Sequence, residues 1–285
     1  MLYFVLDPRT TPLVDEGVTM KLLPPFCRRV VLLVLVAPAC LATSCSREQV
    51  KQDGPAETIP VTALIAQADK FYAARGSIEN AREAVAMIRR ARMSDYGNYE
   101  AAWKLSKYNY YLGQHEADEN EKAKLDAFRE GIAAGQAAVK IAPDKPEGHF
   151  WLGANLGGRG QVQGPLYALP DIPDIRREME TVIKIDETYE GGSAYLALGQ
   201  IDLELPELMG GDRKRAVEEL EKGVRVADDN ALMRLRLAEA YYELKRPADA
   251  RAQAQAVLKL KPDPDYVPEY EQAAEGARQL LKKLS

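Results

Sequence analysis

The residues of this chain that could do chemistry are few and widely spaced. His115 and His149 are its two histidines, 34 residues apart. Neither has a cysteine or a second histidine at ligand spacing, so no zinc site is expected. Neither Gly-x-Ser-x-Gly nor His-Glu-x-x-His occurs, and no nucleophile–base pair announces itself. Gly157-Gly158-Arg159-Gly160-Gln161-Val162-Gln163-Gly164 looks like a phosphate cradle. It lacks the Gly-Lys-Ser/Thr ending and a preceding strand. It reads instead as a loop over a pocket mouth, with Arg159 as an anion contact. These patterns point to a protein that is not an enzyme and carries no metal or cofactor. With 38 Lys+Arg against 43 Asp+Glu and a net charge of −5, the chain has no basic excess for nucleic acid.

The cysteines suggest a different chemistry. Arg28-Arg29 precede the apolar run Val30–Ala37, and Leu41-Ala42-Thr43-Ser44-Cys45 follow. A basic n-region, a short apolar core and small residues before a cysteine read as a secretory signal with a lipobox. The Cys45 sulfur would then carry the lipid. Cys40, after Ala37-Pro38-Ala39, is the alternative site. The run is shorter than the roughly 20 residues a spanning helix needs. Asp7, Asp15 and Glu16 suit an n-region poorly, so Met20 is the expected start. All three cysteines, Cys27, Cys40 and Cys45, lie at or before the cleavage point, which suits an oxidising envelope compartment. The expected organisation is a leader and signal over residues 1–44, a lipidated flexible tether over 45–59, and a folded domain over 60–285.

The domain itself reads as all-α. Apolar residues recur at three-to-four spacing from Pro60 onward, and Gly and Pro fall between the runs. The expected pairs are 61–74 with 77–92, 98–112 with 117–141, a helix from Pro146 with 174–186, 191–204 with 212–226, and 231–244 with 247–260. A final helix over 267–284 caps the stack. Residues 157–173 interrupt the third pair. Between Ala231 and Pro262, Leu237-Ala238, Tyr241, Ala250, Ala254 and Val257-Leu258 stand at the offsets of a 34-residue tetratricopeptide (TPR) repeat. Gly153, Gly199, Ala238 and Ala250 mark close helix crossings, and Pro143 and Pro262 end second helices. The fold expected is an α-solenoid of degenerate TPR-like pairs, about ten or eleven helices in all.

One tract is more specific than a generic repeat. It runs Phe150-Trp151-Leu152-Gly153, Asp171-Ile172-Pro173, Tyr189-Glu190-Gly191-Gly192-Ser193-Ala194-Tyr195, Leu198-Gly199, then Pro206-Glu207-Leu208-Met209-Gly210-Gly211-Asp212. In this order and spacing the chain resembles the T-component (TatT) lipoproteins of TRAP transporters, over about residues 60–285. The resemblance implies a lipid-anchored periplasmic protein that works with the solute-binding P-component. It also implies a small hydrophobic or carboxylate ligand, a cleft or pore, and, in some members, a homo-oligomer. Trp151, Tyr167 and Tyr195, which flank the insertions, are the candidate lining residues, with Trp103 and Arg159 beside them. Pro206, Gly210, Gly211 and Asp212 form a candidate contact loop, in which Asp212 also suits a helix cap. The alternative is a TPR scaffold lipoprotein that joins proteins in envelope or outer-membrane assembly. Ser46 after Cys45 favours the outer membrane as the site of the anchor.

Overall fold

The computed structural model describes residues 59–262 and 267–285. The signal, Cys45, Cys40 and nearly all of the tether lie outside the described residues. Where the chain is described it is helical and contains no strand.

The first three pairs are α1 (Val61–Ala73) with α2 (Ile78–Ser94), α3 (Tyr99–His115) with α4 (Glu121–Ile141), and α5 (Pro146–Gln163) with α7 (Ile172–Ile185). The single turn α6 (Pro165–Ala168) and a 3-10 turn (Leu169–Asp171) separate α5 from α7. Next come α8 (Ser193–Glu204) with α9 (Arg213–Val226), joined through a 3-10 turn (Glu207–Met209), and α10 (Ala231–Glu243) with α11 (Pro247–Val257). Helix α12 (Val267–Lys283) packs on both α10 and α11.

Local chemistry sets the starts. The side chains of Asn98, Asn120, Asp212 and Asn230 accept from the first free amides of α3, α4, α9 and α10, donors that an uncapped helix end leaves unsatisfied. Short connections then fold each helix back on its partner. Tyr99 Oη donates to Glu147 at 2.9 Å, and Asn230 Nδ2 donates to the Gly191 carbonyl at 3.4 Å. The starts of α3 and α5 therefore meet, as do those of α8 and α10, so in these two places the first helices of successive pairs lie side by side.

The interior falls into three clusters. Leu64, Val85, Ile88 and Leu105 fill the first, across α1–α3. Phe128, Phe150, Trp151, Ile175 and Met179 dominate the second, across α3–α8. Leu220, Met233, Leu237, Val257 and Leu280 fill the third, across α8–α12. The small residues sit at crossings, as expected. A Cβ on Gly153 would lie 2.4 Å from Met179 Cε, and one on Gly199 would lie 2.5 Å from Leu220 Cγ. Ala238 and Ala250 are fully buried.

One expectation fails. The Gly157–Gly164 run is not a loop, because α5 continues through it to Gln163. The physical reason is packing. A Cβ on Gly158 would stand 2.3 Å from the Phe128 ring, and one on Gly160 would stand 2.8 Å from Ala168 Cβ. Close approach of neighbouring segments offsets the poor intrinsic helix preference of glycine. The chain leaves the helix only at Gly164, whose φ of +92° suits no other residue well. The interruption therefore shrinks to residues 164–171.

Candidate functional site

One recess lies between α8, α10 and α12, with the start of α9 at one end. Its volume is about 420 Å³. Helical spacing builds it. On α10, Leu235, Leu237, Ala238 and Tyr241 turn into the core, which leaves Arg236, Glu239, Tyr242 and Glu243 along the recess. On α8, Gln200, Leu203 and Glu204 form the opposing wall, and on α12 Gly276, Gln279, Leu280 and Lys283 close it.

Charges of both signs share this space. Arg236 Nη1 donates to Glu239 Oε2 at 2.7 Å. Arg213 lies 3.6 Å from Glu243 and 3.8 Å from Glu207. Glu204 has no ion pair among the described residues. The crowded walls take water from its carboxyl and push it up to about 7, while Arg236 opposes the shift and Glu239 adds to it. The side chain still reaches solvent. The arrangement offers charged and amide groups beside the apolar walls of Leu203, Leu280 and the Tyr242 ring. It places no nucleophile beside a base.

The residues proposed from sequence do not converge. Trp151 is 3% exposed, in the second core cluster. Its Nε1 donates to Tyr189 Oη at 3.1 Å, and Lys107 Nζ sits 4.9 Å from its ring. Tyr195 is 5% exposed, and its hydroxyl donates to Glu187. Trp103 is half-buried against the same cluster as Trp151. Arg159 is held by Asp171 at 2.5 Å, so its guanidinium is already engaged. Tyr167 alone stands out, 70% exposed on α6.

The Pro206–Asp212 segment is a locked turn. Gly211 N donates to the Pro206 carbonyl at 3.1 Å, and Gly210 has φ +93°. A Cβ on Gly211 would fall 1.9 Å from the Leu205 carbonyl oxygen. Asp212 caps α9, accepting from the amides of Lys214 and Arg215. Beneath the turn, Arg176 and Arg215 both grip Asp202, which is fully buried.

His149 and Glu178 form another buried contact, with Nδ1 2.5 Å from the carboxylate. The carboxylate holds the imidazole above its ordinary value. Burial opposes ionisation of Glu178, but His149 and Arg177 together hold its carboxyl below the usual range. Among the described residues no group of three or more His, Cys, Asp or Glu is arranged to hold a metal.

Glu204, Arg236 and Tyr242 were not singled out from the sequence, nor were Arg176, Asp202 and Arg215. The available signal was Asp202 itself, an acid one turn before the Pro206 turn, set between Ile201 and Leu203.

Comparison with known proteins agrees with this architecture. Residues 64–200 match the family model of regulator of microtubule dynamics proteins 1–3, and residues 208–268 match a tetratricopeptide-repeat model. The chain is similar in structure to a thermophilic TPR protein of Thermus thermophilus. The TM-score is 0.53 at 18% identity, over 75% of this chain and 98% of that one. It is also similar to PilF of Pseudomonas aeruginosa, with a TM-score of 0.50 at 17% identity, over 79% of this chain and 91% of that one. No curated protein matches the sequence. The chain thus has a TPR-like, all-α fold.

Proposed function

We propose that this protein is a scaffold that binds another protein through the recess between α8, α10 and α12, and that Cys45 moors it by a lipid to the periplasmic face of the envelope. The carrying observation is the recess. A TPR-like stack leaves its first-helix face free, and here that face is shaped by three helices and lined with charges of both signs, two amides and an aromatic ring. Such a lining suits the polar rim and aromatic anchor of a protein interface. The anchor rests on the signal pattern around Cys45.

The TRAP P-component is one specific form of this partner. It rests on the sequence tract from Trp151 to Tyr242. Trp151 and Tyr195, expected to line a ligand hollow, are core residues in the structure. That favours a surface contact with a protein over enclosure of a small molecule.

The test is native mass spectrometry of the full chain purified from its host under mild conditions, beside the double variant Glu204→Lys, Arg236→Glu. The reading expects a stoichiometric protein complex in the wild type that is lost in the variant while the monomer stays folded. A complex that survives both charge reversals would contradict it.

A further inference from the structure

A second groove lies on the opposite, second-helix face. It runs between α7 and α9, with α8 as its floor, and its volume is about 300 Å³. At one end Arg176 and Arg215 converge on Asp202. Arg176 Nη1 donates at 3.2 Å and Nη2 at 2.5 Å, and Arg215 Nε donates at 2.7 Å. Two guanidiniums share one buried carboxylate, and Asp212 and Glu219 also act on Arg215. Arg215 is partly open to the groove.

At the other end stand Lys184 and Lys222. Lys222 reaches Glu219 at 2.9 Å, whereas Lys184 has no ion pair among the described residues. Between the ends Leu198, Ile183 and the Tyr195 ring provide an apolar floor, and Glu180 and Glu219 mark the middle of the rims. From Arg176 to Lys184 along α7 is about 12 Å at the rise of an α-helix.

We infer that this groove binds an extended acidic peptide segment with an apolar residue at its centre. In an extended chain, side chains i, i+2 and i+4 share one face. At about 3.3 Å per residue the outer two stand about 13 Å apart. Acid, apolar and acid at those positions match cation, apolar floor and cation along the groove. The carboxylates would meet the exposed edge of Arg215 at the arginine end and the ammonium of Lys184, charge-assisted contacts of the strong class. This places the Pro206–Asp212 turn in a role as well. Its Gly210 carbonyl accepts from Arg215 Nη2 at 2.9 Å, which helps fix the guanidinium at that end.

The test is fluorescence anisotropy of a labelled Glu-Ser-Leu-Ser-Glu peptide titrated with the full chain. Saturable binding is expected. It should weaken at least tenfold in Lys184→Glu, an exposed position whose exchange leaves the fold intact, and should weaken with added salt. A Lys-Ser-Leu-Ser-Lys peptide should not bind, and Tyr242→Ala in the other recess should leave the affinity unchanged. Arg215→Gln should also weaken binding, with circular dichroism reporting whether the fold is kept. No saturable binding, equal affinity for the lysine peptide, or an unchanged affinity in Lys184→Glu would overturn the inference. None of these results touches the α8–α10–α12 recess.

Discussion

The α3–α5 region and the α8–α12 region use the same helix-pair plan and finish it differently. In the first, the first-helix face is filled. Lys104 is held by Asp69 and Glu100, each at 2.7 Å. Lys107 is held by Glu190 at 3.0 Å and lies over Trp151. Tyr72 stacks on Tyr108 with ring centroids 4.0 Å apart. Below them Asn155 Nδ2 donates to the Ser106 carbonyl, the Ser106 hydroxyl and the Trp151 carbonyl. In the second region the core is mostly leucine, alanine and valine, with Met233 and Tyr241, and the first-helix face keeps a recess where Glu204 has no ion pair among the described residues. A face whose charges already pair internally has little left to offer a partner. A face whose Glu204 carboxyl is in no ion pair has something to gain from one.

Truncation should be felt most where the packing is tightest. Phe128 is 1% exposed, and both Gly113 and Gly158 press on its ring. Phe128→Ala should cost about 3–5 kcal/mol, read from urea unfolding. A cost below about 1 kcal/mol would show that this interior is looser than described.

Adding a methyl should separate the two regions next. An alanine in a helix interior ordinarily gains up to about 1 kcal/mol over glycine. Gly131→Ala should reverse that sign and lose about 1–3 kcal/mol, because its Cβ would fall 2.0 Å from Asn155 Oδ1 in a bonded network. Gly276→Ala, on the recess side, first meets the far end of the flexible Leu235 side chain, at 2.7 Å. It should stay within about 0.5 kcal/mol of wild type. Equal effects from the two would break the comparison.

A smaller change is expected within the second region, at the start of α9. Asp212→Ala removes the two capping contacts of α9 and should cost about 1 kcal/mol.

The pH dependence sharpens the comparison further. His149 is raised above its reference of 6.5, so its contribution is complete below that value and is lost as pH climbs through the folded value. Glu178 is lowered from 4.5, so its contribution is complete above 4.5 and is lost as pH falls through the folded value. Together they support the filled region most between about pH 4.5 and 6.5. Glu204 behaves oppositely. Its folded value, near 7, lies above the reference of 4.5, so stability falls as pH rises between them. Urea midpoints against pH should show His149→Gln flattening the loss above pH 6.5. Glu204→Gln should be more stable than wild type at pH 8 and equal to it at pH 4.

The helix pairs were readable because proline, glycine and the capping Asn and Asp residues punctuate the chain at the true ends, and because small residues mark the crossings. The Gly157–Gly164 run misled because glycine signals a loop locally, while contact with Phe128 and Ala168 is a tertiary fact. The aromatics misled similarly. Helical spacing puts Trp151 and Tyr195 on a face, but only the neighbouring pairs decide that the face is interior. The recess stayed hidden because Glu204, Arg236 and Glu239 look like ordinary solvated helix charges until α12 is folded against them.

The most direct test of an open face against a closed one is site-specific photo-crosslinking in the host cell. A benzophenone amino acid at Tyr242 should yield one discrete protein adduct. The same group at Lys107 should yield none. Adducts from Lys107 and not from Tyr242 would place partner binding on the wrong half of the molecule and contradict the account.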